Sequence, residues 1–130
     1  MSKEVHSVSQ KGFSTTNEVR DFETTIDATG EEAPDTLESL LGAYSACFVP
    51  ALRVAAEQRD AGDLGRIEID VTGDLNDDDK LAAVSFDVSV AGDLGGKTDA
   101  VVERAEELCK VHDALKTDLY ADISVEDGAF

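Results

Sequence analysis

A chain of 130 residues with 42% hydrophobic content is large enough for one domain with its own core, and near the size at which a partner subunit helps to cover it. Its 29 Asp and Glu outnumber 11 Lys and Arg, and the net charge of -18 comes with no basic cluster, which argues against nucleic acid and anionic membrane surfaces as partners because both need Lys and Arg against phosphate. At molar salt the Debye length falls to about 3 Å and the self-repulsion of so much negative charge largely vanishes, so the composition suits a salt-rich cytoplasm.

Met1 to Gln10 is polar, without the basic-then-apolar pattern of a signal peptide, and no run reads as a membrane span. A cytoplasmic protein with a single domain over residues 1–130 is expected. Residues 3–9 and 12–16 are short, rich in Ser, Thr and Val, and separated at Lys11 and Gly12, which predicts a weak hairpin. Val19 to Asp27 predicts a strand, with Phe22, Thr24 and Ile26 alternating against Asp21, Glu23 and Thr25.

A loop around Gly30 leads to Pro34, which fits the first turn of a long helix, and the acidic Glu32, Asp35 and Glu38 near that end suit the dipole. From there to Asp60 the apolar residues Leu37, Leu40, Leu41, Tyr44, Cys47, Phe48, Ala51, Leu52 and Ala55 recur at three- and four-residue steps, the period of one buried helical face. Pro50 removes an amide donor and is expected to kink this helix just after Cys47. Gly62 and Gly65 then end the segment.

Arg66 to Leu75 and Leu81 to Val90 alternate apolar and polar residues on either side of a turn at 76–80, predicting an antiparallel hairpin with one packed and one wet face. The Asp77–Asp79 run lacks the liganding pattern that calcium needs and reads as a solvated turn. Thr98 or Asp99 can cap a second helix ending near Leu108, and a further helical turn or two begins near Cys109. Leu119, Ala121, Ile123 and Val125 predict a last strand, and 126–130 a frayed tail. These elements make an α+β domain whose antiparallel sheets cover the helices, and the uncovered side of the long helix is most simply covered by a second copy of the chain.

The chain has two cysteines, and both lie on apolar stripes: Cys47 in the long helix, and Cys109 after Val101, Val102, Ala105 and Leu108. Alone, each behaves as a small hydrophobe. Together they can meet in one half-buried pocket and make and break a disulfide, the more reasonable use of a cysteine pair in a reducing cytoplasm. If Cys109 opens the new helix, the dipole lowers its thiol pKa. The spacing of Cys47, Cys109, His6 and His112 matches no common zinc pattern, so no metal is expected. His112 can serve as a base for the Cys109 thiol or pack with a carboxylate such as Asp113, Tyr44 can line the pocket or the core, and Arg53 reads as a helix-surface arginine.

Pro34-Asp35-Thr36-Leu37-Glu38-Ser39-Leu40-Leu41-Gly42-Ala43-Tyr44-Ser45-Ala46-Cys47 resembles the OsmC/Ohr family's proline, acidic residue, paired leucines, small residues and reactive cysteine. Glu106-Glu107-Leu108-Cys109-Lys110-Val111-His112-Asp113-Ala114-Leu115 is similar to the block around its resolving cysteine, with Lys110 where many members have proline. The resemblance implies an intertwined homodimer with two interface sites and a thiol peroxidase needing no metal or organic cofactor. Cys47 would attack organic hydroperoxides or hydrogen peroxide, Cys109 would resolve the sulfenic acid as a disulfide, and an external dithiol would restore the pair. It also implies an arginine held by a glutamate beside the reactive thiol. Glu38 corresponds best to the glutamate; at about 100° per residue it lies opposite Cys47 on a straight helix, in reach of its own or the partner's site. Arg20 is the candidate arginine, without the glycine-flanked setting of peroxidatic members. A member of the fold that binds a small apolar ligand or senses redox state is the alternative.

Overall fold

The computed structural model describes residues 1–116 and 119–130. Strands β1 (His6–Val8), β2 (Ser14–Val19) and β3 (Phe22–Asp27) form one antiparallel sheet in that order. Helix α1 (Thr36–Gln58) follows, then the antiparallel pair β4 (Ile67–Leu75) and β5 (Leu81–Val90), then helices α2 (Thr98–Leu108) and α3 (Lys110–Ala114). This is the expected α+β arrangement of antiparallel sheets around a long central helix.

The hairpin expected near Lys11 and Gly12 forms as β1 and β2. The strand expected over Val19 to Asp27 is divided differently: Val19 pairs with Phe22, so Arg20 and Asp21 are the two-residue turn between β2 and β3. Arg20 takes the left-handed φ of 53° that such a turn requires, a conformation that Gly or Asn would have advertised and Arg does not.

Asp27 ends β3 and organises the approach to α1. Its buried carboxylate accepts bonds from the Thr29 amide (3.0 Å), the Thr29 hydroxyl (2.8 Å) and the Glu32 amide (3.1 Å), while its own amide donates to the Pro34 carbonyl at 3.0 Å. Pro34 therefore stands one residue before the cap and outside the first turn. Asp35 caps α1, accepting from the Glu38 amide at 2.8 Å, and the Glu38 carboxylate accepts from the Asp35 amide at 2.9 Å, a complete capping box.

Helix α1 runs as one element through Pro50, although the proline gives the Ala46 carbonyl no amide to bond. Phe48, Ala51, Leu52, Ala55 and Ala56 form the core with Leu64 and with Val101, Ala105 and Cys109. The facing alanines let α1 and α2 pack closely. Each large side chain so buried contributes about 1.5–3 kcal/mol. At Gly73 on β4 the sheet comes so near α1 that a Cβ there would lie 2.9 Å from Leu41 Cδ1. Helix α1 is long and apolar enough to meet the length and composition of a membrane span, and its apolar stripe packs on α2 and β4.

Two further expectations are corrected. Lys97, whose side chain makes no capping bond and donates instead to the Asp60 carbonyl at 3.0 Å, occupies the cap position of α2, because the helix already begins at Thr98. Residues 119–125 form no strand: their alternation is present, but among the described residues no strand pairs with them to complete a ladder, and Leu119, Ile123 and Val125 are exposed.

Candidate functional site

Cys47 and Cys109 are brought together where α1 passes the junction of α2 and α3. Cys109 is fully buried and takes an extended conformation (φ -71°, ψ 112°) that ends α2 and starts α3. Its amide still donates to the Ala105 carbonyl at 2.9 Å, its carbonyl accepts from Asp113 at 3.1 Å, and its sulfur accepts from the His112 amide at 3.5 Å. One residue thus closes one helix and caps the next. Cys47 is half-buried and opens on a groove of about 320 Å³ lined by Pro50, Ala51, Val54, Leu108 and Lys110.

The two sulfurs lie near disulfide distance, both as free thiols, and their surroundings shift them in opposite directions. The Val111 amide does most to hold the Cys47 thiol below its ordinary pKa; partial burial opposes it, and the Cys109 thiol, the Lys110 amide and the Lys110 charge assist. Burial pushes Cys109 up, and the Cys47 sulfur beside it adds to that rise, against the His112 and Val111 amides. The dipole argument made for Cys109 therefore benefits its neighbour. Cys109 is buried behind the first turn of α3, whereas Cys47 meets the amides that turn leaves unbonded.

The other residues singled out in the sequence lie in varied surroundings. The Glu38 carboxylate is engaged in the α1 cap, and the Arg20 guanidinium stacks 5.3 Å from the ring centre of Phe22 at the β2–β3 turn. Neither is among the groups that shift the thiols. Arg53 donates to the Gly65 carbonyl at 2.8 Å and ties α1 to the loop before β4. Asp113 pairs with Lys116 at 3.5 Å, so it is not the partner of His112. His112 Nδ1 instead hydrogen-bonds the Tyr44 hydroxyl, beside a cavity of about 500 Å³ that both residues line with Phe48, Phe86, Val102 and Glu106. Sequence reasoning missed the Val111 amide and the Tyr44–His112 contact. Its available signal was the matched spacing, Tyr44 three before Cys47 and His112 three after Cys109.

Among the described residues no group of three or more His, Cys, Asp or Glu side chains is placed to hold a metal ion. The chemistry at hand is that of two thiols of unequal acidity in contact.

The family model for OsmC-like proteins matches residues 28–124, which include both cysteines. The chain belongs to the OsmC-like family. It is 44% identical over 124 residues to an uncharacterized protein of Haloferax volcanii, covering 95% of this chain and 94% of that one, which supports the salt-adapted reading of its charge. Its fold is also similar to two solved structures. One is the OsmC like protein from Mycoplasma pneumoniae (TM-score 0.71, 16% identity, 88% of this chain and 87% of that one). The other is the organic hydroperoxide resistance protein OsmC from Legionella pneumophila (TM-score 0.66, 17% identity, 89% and 90%). At these identities the likeness is one of fold, and the OsmC-like fold with its close cysteine pair is consistent with a general redox role.

Proposed function

We propose that this OsmC-like protein is a thiol-dependent peroxidase for organic hydroperoxides or hydrogen peroxide, with Cys47 as the attacking and Cys109 as the resolving thiol. The observation that carries the reading is the closeness of the two sulfurs, near disulfide distance, with ionisation favoured at the accessible one. The Cys47 thiolate attacks the outer peroxide oxygen, the O–O bond breaks, and the departing alkoxide takes a proton and leaves as alcohol, or as water from hydrogen peroxide. Cys47 is then a sulfenic acid. The Cys109 sulfur attacks it, forming the S–S bond and releasing water, and an external dithiol is oxidised to return both thiols. The raised pKa of Cys109 suits a resolving thiol that stays protonated until the first step is done.

Glu38 and Arg20 enter this proposal as the ion pair implied by the family, acting through the partner subunit, since both are remote from the thiol groups of their own chain. A homodimer is supported by the apolar surface the single chain leaves open: Val84 and Val88 on the packed face of β5, Phe13 just before β2, Phe22 on β3, and Ile123 and Val125. A cytoplasmic location fits two free cysteines in contact.

A second reading, an OsmC-like protein that senses redox state or binds a small apolar ligand, is favoured by one observation: the cation acting on Cys47 is the Lys110 ammonium, and no guanidinium is among its influences. Peroxide consumption with a dithiol in high salt separates the two. The peroxidase reading expects turnover in the wild type and its loss in Cys47→Ser; the second expects no turnover in either.

A further inference from the structure

We propose that the hydrogen bond between Tyr44 and His112 is a brace that holds the first turn of α3 against Cys47, making both positioning residues for the thiol chemistry proposed above, on which this inference rests. The brace joins matching points of two helices, one turn before Cys47 on α1 and one turn after Cys109 on α3.

Its α1 end is rigid. The Tyr44 ring stands edge-on to Phe86 at 4.7 Å between centroids, and Phe86 in turn meets the buried Phe48 at 5.4 Å. Its other end needs support. Helix α3 has five residues, none of them buried, and so short a helix is not stable by itself. Val111 packs at the core margin, and the Cys109 sulfur and carbonyl hold two amides of α3. The Tyr44 hydroxyl is the side-chain tie from α1 to the far side of that turn.

The consequence for Cys47 follows from chain order. Lys110 and Val111, whose amides favour its thiolate, directly precede His112, so releasing the imidazole lets both amides retreat. The titratable or charged groups facing Cys47 are Cys109 and Lys110, and those facing Tyr44 are His112, Cys109 and Glu106. Burial, with the Glu106 carboxylate and the Cys109 sulfur once ionised adding to it, pushes Tyr44 above its ordinary pKa, so it remains a phenol hydrogen-bonded to His112 Nδ1.

The test is the rate of alkylation at Cys47 against pH, read by mass on the peptide that carries it, in the full-length protein at high salt. Tyr44→Phe keeps the ring on Phe86 and removes only the hydroxyl. It should leave the melting curve near that of the wild type, move the Cys47 profile to higher pH, and slow neutral-pH labelling by about three- to tenfold, tenfold being one pH unit. His112→Leu should reproduce the shift. His112→Asn, whose amide can accept from or donate to the Tyr44 hydroxyl near the Nδ1 position, should stay near the wild type. Folded Tyr44→Phe and His112→Leu proteins with the wild-type profile would overturn the proposal, as would His112→Asn behaving like His112→Leu. Because alkylation needs no peroxide, a wild type that consumes none while Tyr44→Phe still shifts the profile would remove the peroxidase reading and leave the brace standing.

Discussion

Cys109 and Cys47 sit near disulfide distance, and the pair is unequal: the buried Cys109 favours its proton, and the half-buried Cys47 favours giving its own away. The difference comes from where α3 begins. Cys109 ends α2 in an extended conformation, and the turn this creates directs the amides of Lys110 and Val111 toward α1. Desolvation alone would have made a cysteine on an apolar stripe inert.

The Val111 amide has the largest effect on Cys47, so its removal should be felt there first. Val111→Pro deletes that N–H at a first-turn position where proline is tolerated, and should slow thiolate-dependent labelling of Cys47 at neutral pH by about tenfold. Val111→Ala keeps the amide and should leave the pH profile in place. Lys110→Ala should cost much less in molar salt, where its charge is screened.

Removing salt should unfold the protein. Among the described residues the ion pairs are Arg66–Glu68, Arg104–Glu107 and Lys116–Asp113, each between near neighbours in sequence, so most of the net charge of -18 has no local counter-charge. Circular dichroism across a salt titration should show folded structure at molar salt and its loss in dilute buffer. Full structure without salt would contradict the salt-adapted account.

Asp27 should make stability fall with acid. Its hydrogen bonds from the Thr29 hydroxyl, the Thr29 amide and the Glu32 amide hold its pKa below the ordinary carboxylate value. With the folded pKa depressed, this contribution is complete above the unfolded pKa of about 3.9 and disappears as pH falls through the folded value. Asp27→Asn should lower the melting temperature at pH 7, and the gap to the wild type should close toward pH 2.

Phe48 is 5% exposed, wedged between Phe86 and the α1–α2 contact, and Phe48→Ala should destabilise the fold by about 3–5 kcal/mol. Denaturant unfolding at constant high salt measures it. With total stabilities of about 5–15 kcal/mol, the loss is large enough to empty the native state of a marginal domain.

Periodicity made the long helix, the β4–β5 hairpin and both cysteine stripes legible, because each buries one face and a buried face needs a regular repeat. Boundaries set by single hydrogen bonds were less so. The β2–β3 turn puts Arg20, which carries no turn signal, in its left-handed position, and Asp35 rather than Pro34 starts α1 because a side chain accepts an amide there. The alternation at 119–125 was read correctly as a pattern, yet a pattern forms a strand only beside another strand. Within the site, the pairing of Cys47 with Cys109 could be anticipated from two apolar faces. The role of the Val111 amide could not, since a backbone donor leaves no trace in residue identity.

The most direct measurement is a stoichiometric one: titrate the reduced protein in high salt with one equivalent of an organic hydroperoxide, count free thiols, and map any bridge by peptide mass. The account predicts that both thiols vanish together and that a Cys47–Cys109 disulfide appears within one chain. Both thiols surviving, or Cys47 oxidised while Cys109 stays free, would contradict it.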